Sequence, residues 1–403
     1  MKKVFFIAAM LFICLLSLTA CGGGMEIESG LFVLSMAVDP APDGNLTITI
    51  KALSGTQEAI AAPSSSDSGS GGGADSTQQQ SKMPEENELE SPEPGYIVMS
   101  ATAPSCLRAL DLLGATTPRT LNLSQLKEIV ISRTLAESEA TLSILKEIHS
   151  LYRASGEAVV VVTPDDAGDF IRRQKAVLGV RLSKYLQVLF EHFEEIDTIP
   201  PNAQLSAVIA AMETGTQDAA AVYAAGNVFN STLVLSGTAD TDRLPGHLPR
   251  TSPAQNEYLG SAVFSGSKMT GVLTGDETGL LCLILGKART RTFTLSGAQY
   301  KTNVATRVKR SIDTTDGALC VEIDMNLTLV AGDSSETAAS IARQIETNAA
   351  ALLTRLQSLG CDAAGFGRLA IQSCLTIEEW THANWPIDYA KRPVRVTARV
   401  QLL

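Results

Sequence analysis

The sequence is short of the side chains that most often carry chemistry. Its 403 residues include four histidines and two tryptophans, and aromatics reach only 5%. His149, His192, His247 and His382 lie far apart along the chain. No His-Glu-x-x-His and no Gly-x-Ser-x-Gly occurs, which excludes the zinc-protease helix and the serine-hydrolase elbow. Seven cysteines are present, but no Cys-x-x-Cys, and none has a histidine at metal-ligand spacing. Runs of lysine and arginine are missing too, and the net charge is −11. Phosphate binding rests on clustered bases, so nucleic acid is excluded as a partner. A polybasic grip on anionic lipid is not expected for the same reason. After the first 20 residues no apolar run is long enough to span a bilayer.

What is present begins at the N-terminus. Lys2 and Lys3 precede an apolar run from Val4 to Leu18. Leu18-Thr19-Ala20-Cys21 follows, and it resembles the lipobox of bacterial lipoproteins. The short length and charged flank suit a cleaved signal peptide over residues 1–20 better than a spanning helix. Cys21 is then the expected lipidation site. Two or three acyl chains on one thiol exceed the single-chain threshold for stable anchoring. The body beyond Cys21 is expected to be extracytoplasmic. There, Cys106, Cys282, Cys320, Cys361 and Cys374 remain. Export permits a disulfide, and Cys361 with Cys374 is the nearest pair in sequence. Cys282 and Cys320 sit in apolar runs and read as small core residues.

Hydrophobic residues make up 45%, enough for a packed interior. Leu31 to Asp39 and Leu46 to Ala52 read as strands joined by a turn at Pro42-Asp43-Gly44. Residues 57–95 are rich in Ser, Gly, Gln, Glu and Pro and nearly lack large apolar side chains. That composition predicts a disordered acidic loop inserted in a domain. A strand at Tyr96 to Ala101 and a helix at Ser105 to Gly114 follow. Strands at Leu126 to Ser132 and Ala158 to Val162 then alternate with helices at Ser138 to Tyr152, from near Asp165, at Leu182 to Phe193 and at Leu205 to Met212. This alternation predicts an α/β region with a partly parallel sheet over residues 21–200. Residues 201–258 read as a middle segment and linker. Residues 259–403 read as an α+β domain, an antiparallel sheet with a long helix packed on one face. Its strands are Ser261 to Phe264, Met269 to Leu273, Phe293 to Ser296, Val304 to Ile312, Leu319 to Val330 and Val394 to Leu402. The long helix spans Ser335 to Leu359 and ends at Gly360. Leu280 to Leu285 is a buried helix or strand.

Several motifs tempt and fail. Ser-x-x-Lys occurs at Ser265–Lys268, Ser124–Lys127 and Ser143–Lys146, without the Ser-Asp-Asn and Lys-Thr-Gly partners that acyl transfer needs. Gly365-Phe366-Gly367 fits a loose dinucleotide fingerprint, but it follows a helix rather than a strand, so it reads as a turn. Glu194 and Glu195 are adjacent and point apart on a helix. Trp380 and Trp385 read as a cap on the core under the last strand, or as an aromatic binding patch. No catalytic, cofactor-binding or metal-ligating residue is nominated.

Taken together, these residues resemble the Ger(x)C family of spore germination lipoproteins. One block is Gly260-Ser261-Ala262-Val263-Phe264, then Lys268-Met269-Thr270-Gly271-Val272-Leu273, Glu277-Thr278-Gly279-Leu280 and Leu285-Gly286-Lys287. A second is Asp362 with Gly365-Phe366-Gly367, followed by Trp380 and Trp385. The N-terminal half matches by layout: an early Glu26, a strand ending at Asp39, and Leu123 to Ile131 before a helix. The chain departs from the family in its Gly run after Cys21, in Gln125, and in the long acidic loop. The resemblance implies an elongated mixed α/β protein of about three domains. It also implies a non-catalytic subunit of a spore nutrient receptor, without cofactor or metal. Its partners would be two integral-membrane subunits, and its place the outer surface of the spore inner membrane. The competing expectation is a solute-binding lipoprotein of an uptake system, which needs two lobes around a deep cleft.

Overall fold

The computed structural model describes residues 29–54, 95–151, 154–178, 180–195, 197–227, 244–246, 248, 255–288, 292–295, 298–302, 306–331 and 337–403. These form two sheets flanked by eleven α-helices. Among the described residues no helix is long and apolar enough to cross a membrane.

The larger sheet opens with β1 (Gly30–Pro40), β2 (Leu46–Leu53) and β3 (Tyr96–Ala103), joined as antiparallel neighbours. The β1–β2 turn is a short 3-10 helix, Pro42–Gly44, with Asp43 at φ 60. Helix α1 (Cys106–Gly114) follows, its N-cap Ser105 accepting from Arg108 N. Short β4 (Thr120–Asn122) and then β5 (Glu128–Ser132) both run parallel to β1. After α2 (Arg133–Ala136) and α3 (Thr141–Leu151) comes β6 (Val159–Thr163), parallel to β5. Helices α4 (Ala167–Arg173), α5 (Leu182–Glu195) and α6 (Leu205–Thr214) lead to β7 (Ala220–Gly226), parallel to β6. The antiparallel β8 (Asn256–Ser265) and β9 (Lys268–Leu273) complete nine strands, in the order β3-β2-β1-β5-β6-β7-β8-β9 with β4 beside β1.

The physical reason for this layout is plain in β5 and β6. Glu-Ile-Val-Ile-Ser and Val-Val-Val-Val-Thr are buried on both faces, as central parallel strands must be. One face packs against α1, α2, α3 and α6, through Leu110, Leu135, Leu145 and Leu205. The other packs against α4 and α5, through Phe170, Leu186 and Phe190. The result is a three-layer α/β/α arrangement.

The smaller sheet follows α7 (Gly275–Ile284) and comprises β10 (Thr292–Leu295), β11 (Ala298–Thr302), β12 (Arg307–Ile312), β13 (Leu319–Ala331) and β14 (Val394–Leu402). The long β13 pairs antiparallel with β12 and β11 in succession, and parallel with β14. A parallel pair needs a crossover, and α8 (Ala338–Ser358) supplies it with the short helices α9 (Gly367–Ala370), α10 (Ile377–Ala383) and α11 (Trp385–Tyr389). Helix α8 lays Ile341, Ile345, Leu352 and Leu356 into the core formed with Val321, Ile323 and Met325 of β13. It starts on the Thr337 cap and ends with Cys361 N bonded to Leu356 O and Gly360 N to Gln357 O, a Schellman closure. The outer flank of β14 has no strand beside it among the described residues; there Ala398 N donates to Glu346 Oε1 of α8 at 2.8 Å.

Three features depart from the expected layout. The smaller sheet is antiparallel except for its last strand, because the long helix returns the chain to the end where β13 began. Residues 201–258, read as a middle segment and linker, supply α6, β7 and the start of β8. The boundary after residue 258 falls inside β8, and both β8 and β9 belong to the larger sheet. Ala-Ala-Val-Tyr-Ala-Ala-Gly of β7 escaped notice because its small side chains carry little apolar signal. The ambiguous run at Leu280 is helical, fixed by a capping box between Thr274 and Glu277.

Candidate functional site

In an open parallel sheet, ligands gather beyond the C-terminal strand ends, where helix N-termini present free N–H groups. Here that position is filled from within. Asp39, at the end of β1, accepts from Ala167 N at 2.8 Å and Gly168 N at 2.9 Å, the first turn of α4. Burial raises its pKa, while those two N–H groups favour the charged form. Asp166 caps the same helix by accepting from Asp169 N. Beside it, Asp165 Oδ2 accepts from Gly226 N at 2.8 Å.

A second cluster lies between the sheet and α4. Glu128, Lys51 and Ser35 are wholly buried, and Gln174 and Tyr258 nearly so. Gln174 Nε2 donates to Glu128 Oε1 at 2.6 Å and to the Tyr258 hydroxyl at 2.9 Å. That hydroxyl donates to Glu128 Oε2 at 3.2 Å, and Ser35 Oγ donates to Gln174 Oε1 at 3.0 Å. Lys51 Nζ donates to the carbonyls of Gln174 and Ile171, capping the end of α4, and lies 5.9 Å from the Tyr96 ring centre. Burial pushes the Glu128 carboxyl up, against its hydrogen bonds and the Lys51 charge. It pushes the Tyr258 hydroxyl well up as well. The cluster ties β1, β2, β5 and β8 to one helix, and its internal bonds answer the charges it buries.

The third site joins the two sheets, and it collects the sequence blocks noted above. Asp362 Oδ1 accepts from Phe366 N at 3.0 Å. Its Oδ2 accepts from Gly367 N at 2.6 Å and from Trp385 Nε1 at 2.9 Å. Asp218, just before β7, accepts from Gly266 N at 2.9 Å and Asp362 N at 2.7 Å, and its own N–H bonds to Asp362 O. Gln217 donates to Ala363 O, and Arg310 of β12 donates to Ala364 O. Burial outweighs the three donated N–H groups and raises the Asp362 pKa to about 7. Asp218 is raised by burial too. A Cβ on Gly367 would lie 2.6 Å from Thr216 O and 2.7 Å from Trp385 Nε1, so no other residue fits. Gly260, inside β8, sits at φ +95 with Leu273 O against it, so a side chain there would be strained and would clash. Nearby, Arg355 of α8 pairs with Glu277, and Thr278 Oγ1 lies 2.8 Å from Ser261 Oγ. The motif residues therefore fasten the larger sheet to the smaller one.

The remaining sequence candidates fall into ordinary roles. Trp385 is buried and stacks on Trp380 at 6.1 Å, the core-capping arrangement. Ser265 and Lys268 pair across the β8–β9 turn. Cys106, Cys282, Cys320, Cys361 and Cys374 are free thiols. Among the described residues no three His, Cys, Asp or Glu side chains gather to hold a metal ion. A shallow groove of about 360 Å³ runs along α5, lined by Lys127, Glu157, Phe190, Glu191 and Gln204. Its polar groups largely engage each other: Gln187 bonds Glu191 at 2.9 Å and Gln204 bonds Glu194 at 3.0 Å. Cys21 lies outside the described residues, as do residues 1–20 and nearly all of the acidic stretch. Sequence reading missed Lys51, Glu128, Gln174 and Asp218; only Glu128, a charge inside an apolar strand, left a signal.

Comparison with known proteins assigns the class. Residues 23–225 match the spore germination protein N-terminal domain, and residues 259–403 match the spore germination B3/GerAC-like C-terminal domain. The chain belongs to this family of spore germination proteins. No curated protein matches it. Among solved structures it is similar to the crystal structure of the GerBC protein, at 10% identity and a TM-score of 0.49, over 91% of this chain and 96% of that one.

Proposed function

We infer that this protein is the lipid-anchored C-type subunit of a spore nutrient germinant receptor and acts without catalysis. The observation that carries this reading is the succession of both germination-protein domains along one chain. The lipobox-like Leu18-Thr19-Ala20-Cys21 adds the anchor. The motif residues Asp362, Phe366, Gly367 and Trp385 are engaged in the joint between the two sheets. Acyl chains on Cys21 hold it on the outer face of the spore inner membrane, beside two integral-membrane subunits. A short tether raises their effective concentration to the millimolar range. Weak surfaces then suffice for assembly, and the subunit contributes to receptor assembly or signalling through where it sits.

Cys21→Ala is the direct test. The variant leaves the membrane fraction, and spores carrying it germinate poorly in nutrients while responding normally to a receptor-independent trigger. Retention in membranes with full nutrient response refutes the reading. Pull-down of the wild-type chain from detergent-solubilised spore membranes brings two multi-span proteins with it.

A further inference from the structure

The open face of the smaller sheet gathers bases in a chain that is acidic overall. Alternation along the strands turns Val321, Ile323 and Met325 inward and Glu322 and Asp324 outward on β13. Register then places Arg307 and Lys309 of β12 on one side of those acids and Arg399 of β14 on the other. Arg395 of β14 and Lys301 of β11 share the same side. Five bases thus meet two acids on these strand positions, in a chain whose net charge is −11. Arg395 is held by Asp313 and Asp316 of the β12–β13 turn. Lys309 and Arg399 make exposed pairs with Glu322 at 3.8 Å and Asp324 at 3.6 Å. Exposed pairs of that length contribute little and exchange readily for other anions. Arg307 and Lys301 form no ion pair among the described residues. At the far end of the same sheet Val330 and Leu403 are 57% and 70% exposed.

We propose that this face lies against an anionic lipid surface. Bases contributed by three strands form a broad, shallow patch rather than a pocket, and an aliphatic rim adjoins it. That combination matches headgroup phosphates over acyl chains. The sequence hides the patch because its bases are spread over about a hundred residues and no run of them exists. The proposal does not rest on the acyl anchor, and its test removes the acyl chains.

The processed chain, residues 21–403 carrying Cys21→Ala, is mixed with vesicles of phosphatidylcholine alone and with vesicles in which about a third of the lipid is phosphatidylglycerol. Partition to the anionic vesicles is about tenfold stronger at about 0.1 M salt and approaches parity at about 0.5 M. Adding Arg307→Glu and Lys309→Glu removes most of that preference, with an unchanged melting curve. Adding Arg307→Lys leaves it intact. Equal partition to both vesicles overturns the proposal, as does a preference that survives the two glutamates. Binding of polyglutamate, lost in the glutamate variant, with no vesicle preference would replace lipid by an acidic protein partner and overturn it too.

Discussion

Glu128 and Asp362 are both carboxylic acids withdrawn from water, one in each half of the molecule, and different donors answer them. Glu128 is met by side chains, Gln174 and Tyr258, with the Lys51 ammonium close enough to lower its pKa. Asp362 is met by two backbone N–H groups and an indole N–H. Side-chain donors come from several strands and a helix, so the first arrangement knits one layer to another. Backbone donors come from one tight turn, so the second shapes a loop and presents it to Asp218 across the joint. A buried carboxylate can therefore serve the interior of a unit or the seam between units, and its partners tell which.

The sharpest way to break this comparison is to remove one charge of the first cluster. Lys51→Met leaves the buried Ile171 and Gln174 carbonyls without their charged donor and withdraws the Lys51 charge from Glu128, at a cost of about 3 kcal/mol in urea unfolding. Lys51→Met with Glu128→Leu recovers part of that loss, because both charges leave together. If the single and double variants are equally unstable, the cluster is not an ion pair in any useful sense.

The pH response of the second cluster is next in size. The folded chain holds the Asp362 proton until about pH 7, whereas an unfolded aspartate releases it near 4. The folded state thus binds the proton more tightly. Stability from this group is full below about pH 4 and is lost as pH rises through about 7, a change of a few kcal/mol. Asp362→Asn flattens that dependence in melts taken between those limits. Trp385 fluorescence titrates with the same midpoint, and Asp218→Asn shifts it downward, because the neighbouring negative charge raises it.

Smaller effects separate the donors. Above pH 7, where Asp362 is ionised, Trp385→Phe removes the indole N–H and costs about 1.5–3 kcal/mol, the range for a hydrogen bond to a charged group. Tyr389 offers the opposite case. Its hydroxyl is buried, pushed up by burial, and has no hydrogen-bond partner among the described residues. Tyr389→Phe changes stability by less than about 0.5 kcal/mol or raises it slightly, read by the same unfolding curves.

Much of the fold was legible because local pattern and tertiary demand agree. The Val159–Thr163 run, the stripe on α8 and the helix start at Ser105 each state one structure. What stayed hidden depends on register and crossover. Small side chains concealed β7, and nothing local reveals that β14 pairs parallel to β13. The joint was half visible. Asp362, Gly365 to Gly367 and Trp385 stood out as a block, but Asp218 is 144 residues from the N–H it accepts. Lys51 is 123 residues from the Gln174 carbonyl it meets. Partners at that distance are set by topology rather than by spacing.

The side-chain bond from Glu346 to the outer flank of β14 bears on crowding. A nine-residue strand with a free flank is a template on which a second copy can continue the sheet. Here the helix beneath occupies one of the outward N–H groups, and Arg395 and Arg399 project beside it, so an identical strand arriving antiparallel would bring like charges together. Copies at high local concentration can then stand shoulder to shoulder without zipping into fibres.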